Sequence, residues 1–366
     1  MLQSNDYLAI SGHEEIIEAQ SISLAESGMG MMMSAQFVHD HSDPLHLVEA
    51  DLAQALGSEA GILTQSGFAA NVDLIQAIAG RTYPSTLMSS PMRPCGRGIK
   101  SAGACAVPFL HNVVDHLERQ VLRNGPGVIV IDAVYSTNGS LAPLAAIADI
   151  AQATGCVFVV DESHSLGTHG EHGEGLVTSL GLNDRVHFIT ASLTKAYCSR
   201  AGLITCTTRF KEYFGYDALP AIFSSSLLPH DITGLAAAYR VIQSEEWRRT
   251  RLRTITTHVR GELNKAGFPV DEGTEQIIAL EAGPELSTIR VRDMLEDNGV
   301  IGSIFFAPAT ALNRSLLRLT LNAGMSDADT EQLVSVCKRI RHNLDIPSWS
   351  ATRRASRSEQ VQKEHH

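Results

Sequence analysis

The chain has 366 residues, 44% of them hydrophobic and 19% charged, the balance of an ordinary soluble globular protein. Such a length accommodates two or three domains of roughly 100–200 residues each, with a core large enough to need no disulfide or metal staple. A net charge of −11 and a pI near 5.7 argue against a nucleic-acid-binding surface. Cys95, Cys105, Cys156, Cys198, Cys206 and Cys337 form no CxxC pair and read as reduced thiols of a cytoplasmic protein. No basic region followed by an apolar stretch opens the chain, so no signal peptide is expected. The apolar runs are strand-length, far short of the ~20 residues that span a bilayer, which predicts no membrane segment.

Residues 1–44 read as an N-terminal segment. From 45 to 78 the apolar residues fall at helical spacing, broken by Gly57 and the turn-like Gln65-Ser66-Gly67. Three nearly unbroken apolar, β-branched runs come next, at 128–134, 157–160 and 186–190. Each ends in polar residues, the pattern of strands buried on both faces in a parallel sheet. Residues 144–155 lie between the first two as a helical pattern closed by glycine, giving a strand-helix-strand unit. A large α/β domain is thus predicted over 45–231. A helix-compatible stretch at 232–265 leads out of it, and alternating strand and helix patterns at 276–280, 288–298, 302–306, 316–321 and 327–343 predict a smaller α/β domain over 232–347. The polar tail, 348–366, reads as disordered.

Ligands of such sheets bind just beyond the carboxyl ends of the strands. Ser136, Asp161, His164 and Lys195 all lie at or just after strand ends. Asp161-Glu162-Ser163-His164 fits either a capped turn with a surface histidine or a carboxylate partner for a cofactor with a basic ring nitrogen. Ser192-Leu193-Thr194-Lys195 fits either a solvated loop lysine or a Schiff-base lysine beside phosphate-binding hydroxyls. Thr64-Gln65-Ser66-Gly67-Phe68-Ala69-Ala70-Asn71 fits an ordinary helix start or one whose free N–H groups receive an anion. His164, His169 and His172 lack a completing carboxylate or cysteine at a recognised ligand spacing, so no metal is expected. The glycines around them read as a flexible loop, and His39, His41 and His46 as surface or structural residues. No G-x-G-x-x-G stands after a strand, which leaves a dinucleotide cofactor unsupported.

Seven segments occur in an order that resembles the α-oxoamine synthase family of pyridoxal 5'-phosphate (PLP) enzymes, class II aminotransferase-like proteins. They are Ser4-Asn5-Asp6-Tyr7-Leu8, Ser66-Gly67-Phe68-Ala69-Ala70-Asn71, Tyr135-Ser136, Asp161-Glu162-Ser163-His164, Ser192-Leu193-Thr194-Lys195-Ala196, Phe223-Ser224-Ser225-Ser226-Leu227 and Leu317-Arg318-Leu319-Thr320. Ser165-Leu166-Gly167-Thr168-His169-Gly170 and Pro220-Ala221-Ile222-Phe223-Ser224-Ser225-Ser226 most resemble the α-hydroxyketone quorum-sensing autoinducer synthases. The resemblance implies a fold-type I PLP-dependent transferase, with a large domain of mostly parallel sheet and a smaller C-terminal α/β domain. It implies a cytoplasmic homodimer with a shared active site. Lys195 would hold PLP and move protons at the substrate α-carbon, and Asp161 would pair with the pyridine nitrogen. His164 and Ser136 would bond the ring hydroxyl. The N–H groups of Gly67 and Phe68, the Ser192 hydroxyl and Ser225 of the partner subunit would bind the phosphate. Arg318 would clamp the substrate carboxylate, with Asn5 nearby; a surface arginine on an edge strand is the other reading of Arg318. The implied reaction condenses an amino-acid-derived carbanion with an acyl-CoA. For the autoinducer subgroup the substrates would be a medium-chain acyl-CoA and 2-aminobutyrate or S-adenosylmethionine. An 8-amino-7-oxononanoate synthase-like enzyme and a catalytically impaired PLP-fold protein are the rival readings.

Two departures from the resemblance stand out. Family members carry a helical segment before the Ser-Asn-Asp-Tyr-Leu motif, and this sequence is read as truncated there. Between Ala79 and Ile99 the family has a strand and an Ala-His-Ala-Ser-like motif whose histidine stacks on the PLP ring. Here the stretch contains no histidine, and Pro84, Pro91 and Pro94 are expected to disrupt any strand or helix. A compensated frameshift over residues 84–98 would explain the change, because codons read two bases later permit Val-Asp-Phe-Asp-Glu-Leu-Ala-His-Ala-Ser-Leu-Trp-Glu-Gly; a genuinely divergent loop is the other reading.

Overall fold

The computed structural model describes residues 1–30, 33–34, 37, 42–79, 85–89, 93–218 and 222–354. It divides into two compact units, one of Ala9–Val134 and Ala142–Glu246, the other of Met1–Leu8, Tyr135–Leu141 and Trp247–His366.

In the first unit, the described strands are β1 (Ala60–Thr64), β2 (Ser85–Ser89), β3 (Cys105–Phe109), β4 (Val128–Asp132), β5 (Val157–Asp161), β6 (Phe188–Ser192) and β7 (Gly202–Cys206). They form one sheet in the order β1-β7-β6-β5-β4-β2-β3. The pairings from β6 through β5, β4 and β2 to β3 are parallel, and β7 runs antiparallel to both of its neighbours. Val128, Ile129, Val130 and Ile131 of β4 are fully buried, as are Phe158, Val159 and Val160 of β5. Their unbroken apolar runs reflect a sheet covered on both faces. Helix Leu144–Thr154 joins these two strands and closes on Gly155 in the left-handed conformation, φ 69°.

Two sequence expectations are overturned in this unit. The helical pattern over 45–78 is not all helix, for β1 lies between helices Pro44–Ala55 and Gly67–Ile78. A five-residue apolar run satisfies helix and strand periodicity alike, and it is the pairing of β1 with β7, from Ala60↔Cys206 to Thr64↔Gly202, that decides. Nor do the prolines abolish regular structure in the histidine-free stretch. Strand β2 pairs with both β3 and β4, and helix Arg93–Ser101 comes after it. Pro94 stands in the first turn of that helix, where its missing N–H breaks no intrahelical bond. Pro84 and Pro91 lie outside the described residues.

In the second unit, β8 (Ile277–Gly283), β9 (Ser303–Phe305) and β10 (Ser315–Thr320) form an antiparallel sheet in the order β8-β10-β9. Helices Glu285–Glu296 and Asp327–Ile340 alternate with these strands, the latter opened by a capping box between Ser326 and Asp329. The beginning of the chain is bonded into this unit. Leu2 N–H donates to Ile301 O at 2.7 Å, and the N–H groups of Thr320 and Ala323 donate to Leu2 O and Tyr7 O at 2.9 and 2.8 Å.

The single helix expected over 232–265 is two, Pro229–Ser244 and Glu246–Lys265, interrupted at Glu245 with φ −107° and ψ 60°. In the tail expected to be disordered over 348–366, Ser348–Arg354 are ordered. Trp349 is buried, with its ring 6.0 Å from that of Phe268. Ser350 and Arg354 both bond the buried carboxylate of Glu281. One aromatic anchor and one salt-bridged carboxylate hold a segment whose mean composition is polar.

Candidate active site

In the first unit the predicted residues gather at the carboxyl ends of β5 and β6. The two strands are parallel and in register from Val159↔Phe188 to Asp161↔Thr190, so the loops they emit leave the same edge of the sheet. Asp161 ends β5 and is buried. Its carboxylate accepts from Asn71 Nδ2 at 2.7 Å and from the N–H of Ser163 at 2.8 Å. Asn71 is itself oriented, donating to Gly67 O at 3.1 Å and accepting from the Thr190 hydroxyl at 3.0 Å.

Glu162 turns inward behind Asp161 and is fully buried. Its carboxylate accepts from the N–H groups of Leu176 and Val177 at 2.9 and 2.6 Å and from the Ser165 hydroxyl. Burial nevertheless holds its pKa above the usual carboxylate range. These bonds tie the strand end to the loop it emits. His164 therefore leaves the strand in a set direction, and its Nε2 lies 2.9 Å from Lys195 Nζ. Lys195 stands in the tight connection from β6 to β7, closed by Leu193 N–H to Ala201 O at 2.9 Å and Cys198 N–H to Lys195 O at 3.1 Å.

Helix Gly67–Ile78 presents its first turn to the same place. Ser66 caps it, accepting from Ala69 N–H at 3.1 Å. The N–H groups of Gly67 and Phe68 have no acceptor among the described residues. A Cβ on Gly67 would stand 2.4 Å from Ser192 Cβ, so only glycine lets the helix start come this close to the end of β6. The Ser192 and Thr194 hydroxyls are 2.7 Å apart, and Ser192 N–H donates to the Ser163 hydroxyl at 2.7 Å. Ser225 is exposed, and its carbonyl accepts from the Gln65 side chain.

Three other predicted residues meet in the second unit. Arg318 of β10 is buried; its Nη1 donates to Ser136 O at 2.9 Å and its Nη2 to Asn5 Oδ1 at 3.3 Å. The Phe305 ring lies below the guanidinium, 4.8 Å from Cζ to centroid. The guanidinium Nε is buried without a partner among the described residues. Tyr7 lies fully buried beside this group, its hydroxyl 3.4 Å from Asn5 Oδ1. Burial raises the Tyr7 pKa, an effect the Arg318 charge offsets in part. Arg318 is thus a buried residue of the central strand of its sheet, and the edge-strand surface reading is wrong for it.

Asn71, Ser163, Thr194 and Tyr7 join these groups without having been expected there. Each sits inside one of the seven motifs, so position in those motifs was the available signal. His169 Nδ1 meets the Thr168 hydroxyl at 2.9 Å, and the exposed His172 gives its carbonyl to Gln243 Nε2. His46 Nδ1 lies 3.2 Å from Glu49 Oε2, while His39 and His41 fall outside the described residues.

The donor set suits PLP: a buried, hydrogen-bonded carboxylate for a pyridinium, an amine for its aldehyde, and a glycine-lined N–H and hydroxyl cradle for its phosphate. A family model described as "Aminotransferase class I and II" matches residues 1–336. The chain is 41% identical to the CAI-1 autoinducer synthase of Vibrio campbellii (strain ATCC BAA-1116), an alignment covering 94% of this chain and 88% of that protein. With the 8-amino-7-oxononanoate synthase of Trichlorobacter lovleyi (strain ATCC BAA-1151 / DSM 17278 / SZ) it shares 30% identity, over 94% of this chain and 89% of that one. The solved Sphingomonas wittichii serine palmitoyltransferase has the same fold, with a TM-score of 0.88 at 24% identity, over 94% of this chain and 88% of that chain. The chain belongs to the class I and II aminotransferase family. Within that family it is an α-oxoamine synthase of fold-type I, a PLP-dependent acyltransferase.

Proposed function

We propose that this chain condenses a medium-chain acyl-CoA with 2-aminobutyrate or S-adenosylmethionine to give the α-aminoketone precursor of a quorum-sensing autoinducer. The observation that carries the autoinducer reading is the 41% identity, over 94% of the chain, to a protein named CAI-1 autoinducer synthase; the substrates are those that the sequence resemblance implies. PLP, when bound, supplies the electron sink that makes a substrate α-carbon nucleophilic. The substrate loses its α-proton, the new bond joins that carbon to the acyl carbonyl carbon, the C–S bond breaks to release CoA, and the carboxylate leaves as CO2 with a proton returned to the α-carbon.

In this reading Lys195 holds the cofactor and carries protons at the α-carbon, and its 2.9 Å contact with His164 supports a shared catalytic edge. Asp161, its carboxylate oriented by Asn71 and Ser163, would pair with the pyridine nitrogen. Gly67, Phe68 and Ser192 receive the phosphate, joined by Ser225 of the partner subunit in a cytoplasmic homodimer. Ser136 and His164 bond the ring hydroxyl. Arg318 receives the substrate carboxylate, with Asn5 beside it. The Nε of Arg318, without a partner among the described residues, supports that assignment, because a buried N–H of a cation left without an acceptor is costly until an anion arrives.

The test gives the PLP-loaded protein a chain-length series of acyl-CoAs with each amino donor and follows thiol release. The expected result is turnover that peaks at medium chain length with 2-aminobutyrate or S-adenosylmethionine. A preference for another amino donor would move the chain to the 8-amino-7-oxononanoate synthase type. No CoA release with any pair would mark it as a catalytically impaired relative.

A further inference from the structure

One buried cation outside every motif of the site bears on Arg318. Arg260, on helix Glu246–Lys265, is 7% exposed. Its guanidinium donates to four backbone carbonyls: Glu275 O at 2.7 Å, Val270 O at 2.8 Å, Gly273 O at 2.7 Å and Ile277 O. Such a fork gathers the segment 270–277 around a single planar group, a geometry lysine cannot reproduce.

Two routes lead from that segment to Arg318. The first runs along the sheet. Ile277 opens β8, which pairs with β10 so that Arg318 stands opposite Ala279 and Thr320 opposite Ile277. The second runs through the turn that holds Ser136. Thr274 and Glu275 donate their N–H groups to Gly139 O at 3.1 and 3.2 Å. Gly139 N–H in turn donates to Tyr135 O, and Tyr135 N–H to Ser140 O, both at 2.9 Å. The turn so closed offers Ser136 O to Arg318 Nη1 at 2.9 Å. Gly139 has φ +69°, and a Cβ there would stand 2.4 Å from Ile277 O and 3.1 Å from Arg260 Nη2. The turn therefore rests directly on the guanidinium and its acceptors.

We infer that Arg260 is a positioning residue for Arg318, fixing at once the strand beside it and the carbonyl that orients its fork. The inference rests on the reading of Arg318 as the carboxylate clamp. An extended fork of donors binds a carboxylate well only when held in a narrow range of directions, so loosening Arg260 should cost affinity for the carboxylate in particular.

The experiment uses the PLP-loaded protein and two probes, 2-aminobutyrate and its carboxylate-free counterpart 1-aminopropane, titrated by the change in visible absorbance. Arg260→Lys and, independently, Gly139→Ala should each weaken 2-aminobutyrate about tenfold while 1-aminopropane stays within about twofold and PLP affinity is unchanged. Equal weakening of both probes, or loss of PLP together with a fall in Tm, would show a general structural role and overturn the inference. Arg318→Lys separates the two layers. If it too spares 2-aminobutyrate, the clamp reading has failed. If it weakens 2-aminobutyrate while Arg260→Lys and Gly139→Ala do not, the inference alone has failed.

Discussion

The group around Asp161 and the group around Arg318 are both buried, polar and built on strands, yet they are satisfied to different degrees. Asp161 has two donors to its carboxylate, and Lys195 and His164 face each other at 2.9 Å. Arg318 donates to Ser136 O at 2.9 Å and to Asn5 at 3.3 Å, and has an Nε with no partner among the described residues. The carboxylate and amine of the first group are oriented by their own fold before anything binds; a buried donor left open gains most when a charged partner enters. The contrast matches the proposed division of labour, a resident cofactor at the first group and a passing carboxylate at the second.

Mutations in the first group should break this contrast most severely. Lys195→Ala should abolish the visible absorbance of lysine-linked PLP and all turnover. A band that borohydride fixes to another lysine would remove Lys195 from the role. Asp161→Asn should keep PLP bound but lower turnover about a hundredfold, since a neutral partner no longer favours the pyridinium. Unchanged α-proton exchange in deuterated buffer would count against Asp161.

Glu162 tests the scaffold beneath the same group. Glu162→Ala leaves the N–H groups of Leu176 and Val177 without their acceptor, and should cost about 3 kcal/mol of stability in a denaturant titration. A loss below about 0.5 kcal/mol would mean that the loop carrying His164 holds its shape by other means.

The smallest effect is expected at Asp73, on the helix that begins at Gly67. Burial pushes its pKa up from 3.8 to about 7. A raised folded pKa means that the group favours folding below its unfolded value and loses that contribution as pH rises towards 7. Asp73→Asn should therefore leave Tm nearly unchanged near pH 4 and raise it by a few degrees near pH 8. A Tm difference that stays flat over this range would show that Asp73 carries no such penalty.

The two groups also differ in how far they could be read beforehand. Asp161, His164, Ser192 and Lys195 stand within motifs on neighbouring parallel strands, where an unbroken apolar run giving way to polar residues marks a strand end as a ligand edge. Arg318 could be named from its motif, but its neighbours Asn5 and Ser136 lie 313 and 182 residues away in sequence. Arg260 carries no motif at all. Its four acceptors are main-chain carbonyls, which any residue type supplies equally, so no side-chain pattern announces them.

By itself the sequence determined the α/β class and the strand ends after which Asp161 and Lys195 stand. These come from local hydrophobic runs and short motifs. Tertiary pairing decided what local pattern left open. It made residues 60–64 a strand by setting them against β7, and it kept β2 and the helix after it in a proline-rich stretch. It also ordered a polar tail through Trp349 and Glu281. In each case the deciding energy comes from partners distant in the chain, through ladder hydrogen bonds, aromatic packing or buried carboxylates, which local composition does not encode.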